Sequence, residues 1–69
     1  MPLVLARPGE KNSIKRVGGR EETKKRLETL GFVVGSAVTV VSKIHGNVIV
    51  NIKDSRIAIS QEMANKIMV

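Results

Sequence analysis

Along this chain the spacing of apolar residues switches from helical to alternating, and the switch falls between Gly31 and Gly35. Before it, Leu27 and Leu30 lie three apart with Thr23 one turn earlier, so the three share one narrow helix face. The other faces are charged. Glu21–Lys25 and Glu22–Arg26 place acid before base at four-residue spacing, and both acids fall in the first turn, where the helix dipole favours them. Gly31 stops the helix: in the left-handed conformation it would fold Phe32 back onto Leu27. Phe32 is the only aromatic residue, so this corner is expected to anchor the core. Gly35 then turns the chain into Ala37–Val41, a β-branched run suited to a half-buried strand.

The other segments read as short strands. Leu3–Ala6 is an apolar strand closed by the turn Arg7–Pro8–Gly9. Ser13–Val17 follows with Ile14 and Val17 inward, and their odd spacing requires a bulge or bend. Gly18–Gly19 leads into the helix, which has no Ser, Thr, Asp or Asn at its expected cap. Ser36–Ile44 and Val48–Lys53 flank His45–Gly46–Asn47, a hairpin loop with glycine at the strained position. Val48, Val50 and Ile52 alternate with Ile49, Asn51 and Lys53, so one face is core and the other wet. After a tight turn at Asp54–Ser55, Arg56–Ser60 alternates again with Ile57 and Ile59 inward. Ser60 suits the cap of a helical turn at Gln61–Lys66, with Met63, Ala64 and Ile67 toward the core, and Ile67–Val69 can finish as a strand.

These elements predict a mainly β fold: a small barrel of about five to six short strands, with one α-helix after the second strand and a short helical turn near the C-terminus. Strands from both termini would close it and remove the exposed edges. Leu27, Leu30 and Phe32 are expected to cluster with Val38, Val40, Val50 and Ile59. Sixty-nine residues make a single domain, 1–69, and a chain of this size buries only about 60% of its unfolded surface. Valine and isoleucine must therefore supply most of the core.

Composition narrows the chemistry. Without cysteine there is no disulfide, thiolate metal site or cysteine nucleophile, which fits a reducing cytoplasm. Met1–Ala6 is too short for a secretory leader, and no apolar run reaches the roughly 20 residues that cross a bilayer. Of the six acids, Glu10, Asp54 and Glu62 are dispersed and the other three belong to the helix, so no catalytic pair is in view. The chain is read as not an enzyme, with no cofactor. His45 alone cannot build the imidazole–carboxylate shell that ferrous iron favours, so any iron contact would be weak. Twelve basic residues against six acids give +6, which suits an acidic partner: nucleic acid, an anionic membrane face or an acidic protein surface. With Phe32 as the sole aromatic, neither a proline-peptide slab nor a base-stacking platform can be built.

The run Pro8-Gly9, Ile14-x-x-Val17-x-Gly19, then Arg26-Leu27-x-x-Leu30-Gly31-Phe32-x-x-Gly35, resembles the FeoA family. The second half agrees, through Val38-x-Val40, Val48-x-Val50, Ile57-Ala58-Ile59 and Glu62-Met63-Ala64-x-x-Ile67-x-Val69. Val34 stands where this family often has proline, and the Asp54–Ser55 turn lacks a glycine often found near it. The resemblance implies an SH3-like barrel in the bacterial cytoplasm that assists FeoB, a membrane importer of ferrous iron with a cytoplasmic GTPase domain. It also relates the chain to the C-terminal barrels of iron-dependent repressors. The implied role is docking on the GTPase region, with a basic nucleic-acid-binding barrel or a detached regulatory barrel as alternatives. Candidate docking residues are Arg20 and Lys24 beside the helix, and Lys43, Ile44 and His45 at the hairpin tip.

Overall fold

The computed structural model describes residues 1–69. Its one long helix, α1 (Glu21–Thr29), ends as its sequence requires. Leu30 is the C-cap, and Gly31 follows at φ 106°, a conformation that side-chain-bearing residues rarely adopt. The Phe32 N–H then donates to the Leu27 carbonyl at 2.9 Å and the Gly31 N–H to the Glu28 carbonyl at 2.9 Å. This paired reversal is a Schellman motif, and it drives Phe32 into the core with no exposed surface.

The reversal also corrects the expectation for Leu30. That residue is 37% exposed, while Leu27 is fully buried. The helix ends at Thr29, so Leu30 sits where the chain is already turning away, and Phe32 occupies the core volume instead. The expected glutamate–base pairs along α1 make no hydrogen bonds; the helix's side-chain hydrogen bond is Thr29 Oγ1 donating to the Lys25 carbonyl at 2.9 Å.

Strands β1 (Lys11–Ser13), β3 (Ala37–Ile44), β4 (Asn47–Ile52) and β5 (Ser55–Ser60) form an antiparallel sheet in the order β1-β3-β4-β5. A second, two-stranded sheet pairs β2 (Arg16–Val17) with β6 (Ile67–Met68). The predicted strand Ser13–Val17 is therefore broken, and the break is the expected bend. The Ile14 N–H donates to the Ser36 carbonyl at 2.9 Å, and the next residue's N–H, on Lys15, donates to the Met68 carbonyl at 2.8 Å. Ile14 thus ends the pairing with β3, and Lys15 opens the pairing with β6.

Further boundaries differ from expectation. Leu3–Leu5 is a 3₁₀ turn rather than part of a strand. Leu3 and Ala6, three apart, are both buried. The three-residue turn puts them on one side, where a strand would put them on opposite faces. The second hairpin turns at Lys53–Asp54 rather than Asp54–Ser55, with Lys53 at φ 54° and Ile52 opposite Ser55. The helical turn α2 (Gln61–Ala64) is shorter than Gln61–Lys66 but capped as read: the Met63 N–H donates to Ser60 Oγ at 3.2 Å.

The core contains Leu27, Phe32, Val38, Val40, Val50 and Ile59 together, with Leu3, Ile14, Val48, Ile52, Ala64 and Ile67 around them. No buried residue is polar or charged. Closure is incomplete, however. Strand β5 pairs with β4 on one side and with nothing on the other, so one edge that the barrel was expected to remove stays open.

Candidate docking surface

The β3–β4 hairpin begins with a bulge. Val40 opposes Val50 and Ser42 opposes Ile49, leaving Val41 as the extra residue. From there the register decides which way each tip residue faces. Val48 is buried and lies opposite Lys43, so Lys43 shares the inner face at the barrel's end. Its ammonium donates to the Val4 carbonyl, tying the hairpin to the N-terminal turn. Ile44 lies opposite Asn47, on the outer face, and is 49% exposed.

Between them and β4 the chain reverses in two residues rather than the expected three, because Asn47 already pairs with Ile44 as the first residue of β4. His45 at φ 46° and Gly46 at φ 79° both take positive values, the signature of a type I′ turn. The turn holds His45 in solvent, where it lines a small cavity of about 130 Å³ with Val4, Lys43 and Gln61. The predicted tip cluster therefore divides: Lys43 and His45 line the cavity, and Ile44 faces the outer sheet surface.

On that outer surface Ile44 has company. Ile49, half-buried, lies diagonally across from it through the Ser42–Ile49 pair, a spacing that long side chains bridge. Ile49 in turn opposes Ala58, which is exposed. Ile44, Ile49 and Ala58 form an aliphatic strip across three strands. Arg56 lies on the same face of β5, with its Nε donating to Asn51 Oδ1 at 3.2 Å. Ala58 was not among the predicted residues. The alternation of β5 carried the signal, because Ile57 and Ile59 inward puts Ala58 outward.

Arg20 and Lys24 stand apart from this strip. Arg20 is the N-cap of α1, without a capping side chain. It lines a groove of about 450 Å³ between α1 and α2, together with Arg26, Lys66, Glu22 and Glu62. Lys24 is half-buried and does not line that groove. The mixed charge of the groove favours neither anions nor cations. No three His, Asp or Glu side chains come together in a way that could hold a metal ion.

A family model for the FeoA domain matches residues 1–69. The chain belongs to the FeoA domain family. It is 37% identical over 68 residues to a Methanocaldococcus jannaschii protein provisionally named Fe(2+) transport protein A, covering 99% of this chain and 83% of that one. Its fold matches that of a Stenotrophomonas maltophilia FeoA solved with zinc and described as an SH3 domain protein: TM-score 0.85, 23% identity, 99% of this chain and 87% of that one. A manganese-dependent transcriptional repressor contains the same barrel, with a TM-score of 0.88 at 17% identity over 97% of this FeoA domain and 39% of the repressor. At such identities these two structures share the fold alone. The FeoA domain here is SH3-like, and none of its helices is long and apolar enough to cross a membrane.

Proposed function

We propose that this FeoA domain serves ferrous iron transport as a non-enzymatic cytoplasmic accessory, docking on the GTPase region of a FeoB-type transporter. Family membership and the relative named for Fe(2+) transport support the process. The observation that carries the docking mode is the outer strip of Ile44, Ile49 and Ala58 on a chain of net charge +6. Exposed aliphatics amid basic residues suit an acidic protein surface: the charge speeds encounter, and desolvated apolar contact holds the complex. Phosphate backbones reward charge alone. Contact at this strip would alter the partner's GTPase or transport behaviour. Iron is the transporter's cargo in this reading, not a ligand held by this chain.

The rival reading is a basic nucleic-acid-binding barrel, which rests on the same net charge of +6. The two separate by titration against the GTPase region at about 150 mM salt, in parallel with random-sequence DNA. A GTPase complex that keeps most of its affinity as salt rises supports docking. DNA affinity that falls by roughly one log unit per log unit of salt for each phosphate contacted, with no GTPase complex, overturns it.

A further inference from the structure

The strip described above is a face of the sheet; the open edge of β5 is a different surface with different chemistry. In the β4–β5 hairpin Ile52 and Ser55 close a two-residue turn, so they exchange hydrogen bonds, as do Val50 with Ile57 and Val48 with Ile59. The intervening residues Arg56 and Ala58 must direct their N–H and C=O groups away from β4. No strand lies there, and neither residue contributes to any of the backbone hydrogen bonds outside the helices and strands. Both residues are exposed. The strand is six residues long with no proline, longer than β1, β2 or β6. Natural sheets usually shorten, bulge or cover such an edge. Here only the C-terminal end is covered, where α2 begins and the Gln61 N–H donates to the Gly46 carbonyl at 2.9 Å.

We infer that the free edge of β5 receives an extended acidic segment of a partner protein, which adds to the sheet as a fifth strand. The backbone groups of Arg56 and Ala58 would pair with it, and main-chain pairing supplies affinity in this mode. Charge selects the occupant. Arg56 sits on the edge strand, while Lys53 and Asp54 in the preceding turn offset one another, so Arg56 and the chain's net charge of +6 set the sign at this edge. A second copy of the chain could also pair edge to edge, but it would bring +6 against +6. An acidic strand meets complementary charge instead. The two surfaces meet at Ala58, whose side chain belongs to the strip and whose backbone groups belong to the edge, but pairing at the edge needs no contact with Ile44 or Ile49.

Amide exchange followed by NMR on the whole ¹⁵N-labelled chain tests this. In dilute free protein the Arg56 and Ala58 amides should exchange at least about tenfold faster than those of Ile57 and Ile59, which pair with β4. An acetylated, amidated peptide Glu-Val-Glu-Val-Glu-Val should slow the first two and shift their resonances. The peptide Lys-Val-Lys-Val-Lys-Val should bind at least about tenfold more weakly. Ala58→Pro removes an outward N–H that β4 does not use, as edge strands tolerate; a folded variant should lose the peptide response. Arg56→Glu, a milder change, should weaken acidic peptide binding while leaving the β4 pairing intact. Protection of Arg56 and Ala58 in dilute free protein, or indifference to the acidic peptide at millimolar concentration, overturns the inference. Equal response to both peptides does so too, as does protection that appears without peptide as protein concentration rises, which would assign the edge to a second copy.

Discussion

Two tight reversals shape this barrel, at Gly31 and at His45–Gly46, and they use the same backbone device for opposite ends. Each depends on positive φ, 106° at Gly31 and 46° and 79° at the hairpin. At Gly31 the reversal throws the residue after it inward, and Phe32 is completely buried. At the hairpin the residue before the turn, Ile44, is left 49% exposed. The difference lies in what each turn joins. The first joins a helix to a loop and satisfies the helix's last carbonyls with Gly31 and Phe32 N–H groups, so the reversal and the burial are one event. The second joins two strands whose register alternates, so one residue on each side of the tip must face outward. One corner closes the core, and the other presents a surface.

The largest effect should come from breaking the closed corner. Phe32→Ala removes the only aromatic side chain from a fully buried site, at a cost of about 3–5 kcal/mol. A domain this small has a total stability of roughly 3–5 kcal/mol, so the variant should be largely unfolded by circular dichroism at 25 °C. A cooperative urea transition near the parent midpoint would show that the corner does not anchor the core.

The neighbouring leucines provide a sharper contrast. Leu27→Ala should cost about 2–5 kcal/mol, because Leu27 is wholly buried against the core. Leu30→Ala should cost about 1 kcal/mol or less, because Leu30 is 37% exposed and lies outside the core cluster. Their helical spacing cannot distinguish them. Equal urea midpoints for the two variants would mean that Leu30 carries buried contacts after all.

Gly31→Val comes next, at about 1–3 kcal/mol. A Cβ at Gly31 would meet Ile52 and Lys53 atoms only at ordinary contact distances, 3.8 to 4.0 Å, so space for the Cβ itself is not the obstacle. The φ of 106° is. Gly31→Ala should lie between the parent and Gly31→Val, since β-branching adds its own restriction. A variant series with no cost would move the reversal away from Gly31.

The same contrast explains what the sequence could and could not convey. Local chemistry was legible: the glycine stop, the Ser60 cap, the place of the hairpin and the alternation of β4 and β5 all follow from residue types at fixed spacings. Leu30 was not, because its fate depends on whether the helix ends one residue before or after it. Leu3 and Ala6 looked like a strand because four apolar residues carry no period; only burial of positions three apart reveals the 3₁₀ turn. The docking candidates failed to cohere for a related reason. Lys43, Ile44 and His45 are consecutive, yet strand alternation and a type I′ turn send them different ways. Proximity in sequence is a poor guide to a shared surface wherever the period is two. The open β5 edge lay deepest, since it depends on which strands fail to meet.

The smallest effect on stability should belong to the residue with the most to say about function. Ile44→Asp places a carboxylate on an exposed outer-face position at a strand end, where substitutions usually change stability by no more than about 0.5 kcal/mol. Its urea midpoint should match the parent's within that range. Contact with the GTPase region should nevertheless weaken by at least about tenfold, because the new charge must be desolvated against a surface that is itself acidic in this reading. Lys43→Ala is the matched control for charge at the tip. It removes one positive charge and the tie to the Val4 carbonyl but leaves the aliphatic strip whole, so it should slow association more than it shortens the complex's lifetime. Ile49→Asp, diagonal to Ile44 across the pair of strands, should repeat the Ile44 result if the strip acts as one surface. If Lys43→Ala abolishes the complex while both aspartate variants bind normally, the contact is electrostatic and the open corner of the barrel is not an apolar docking face.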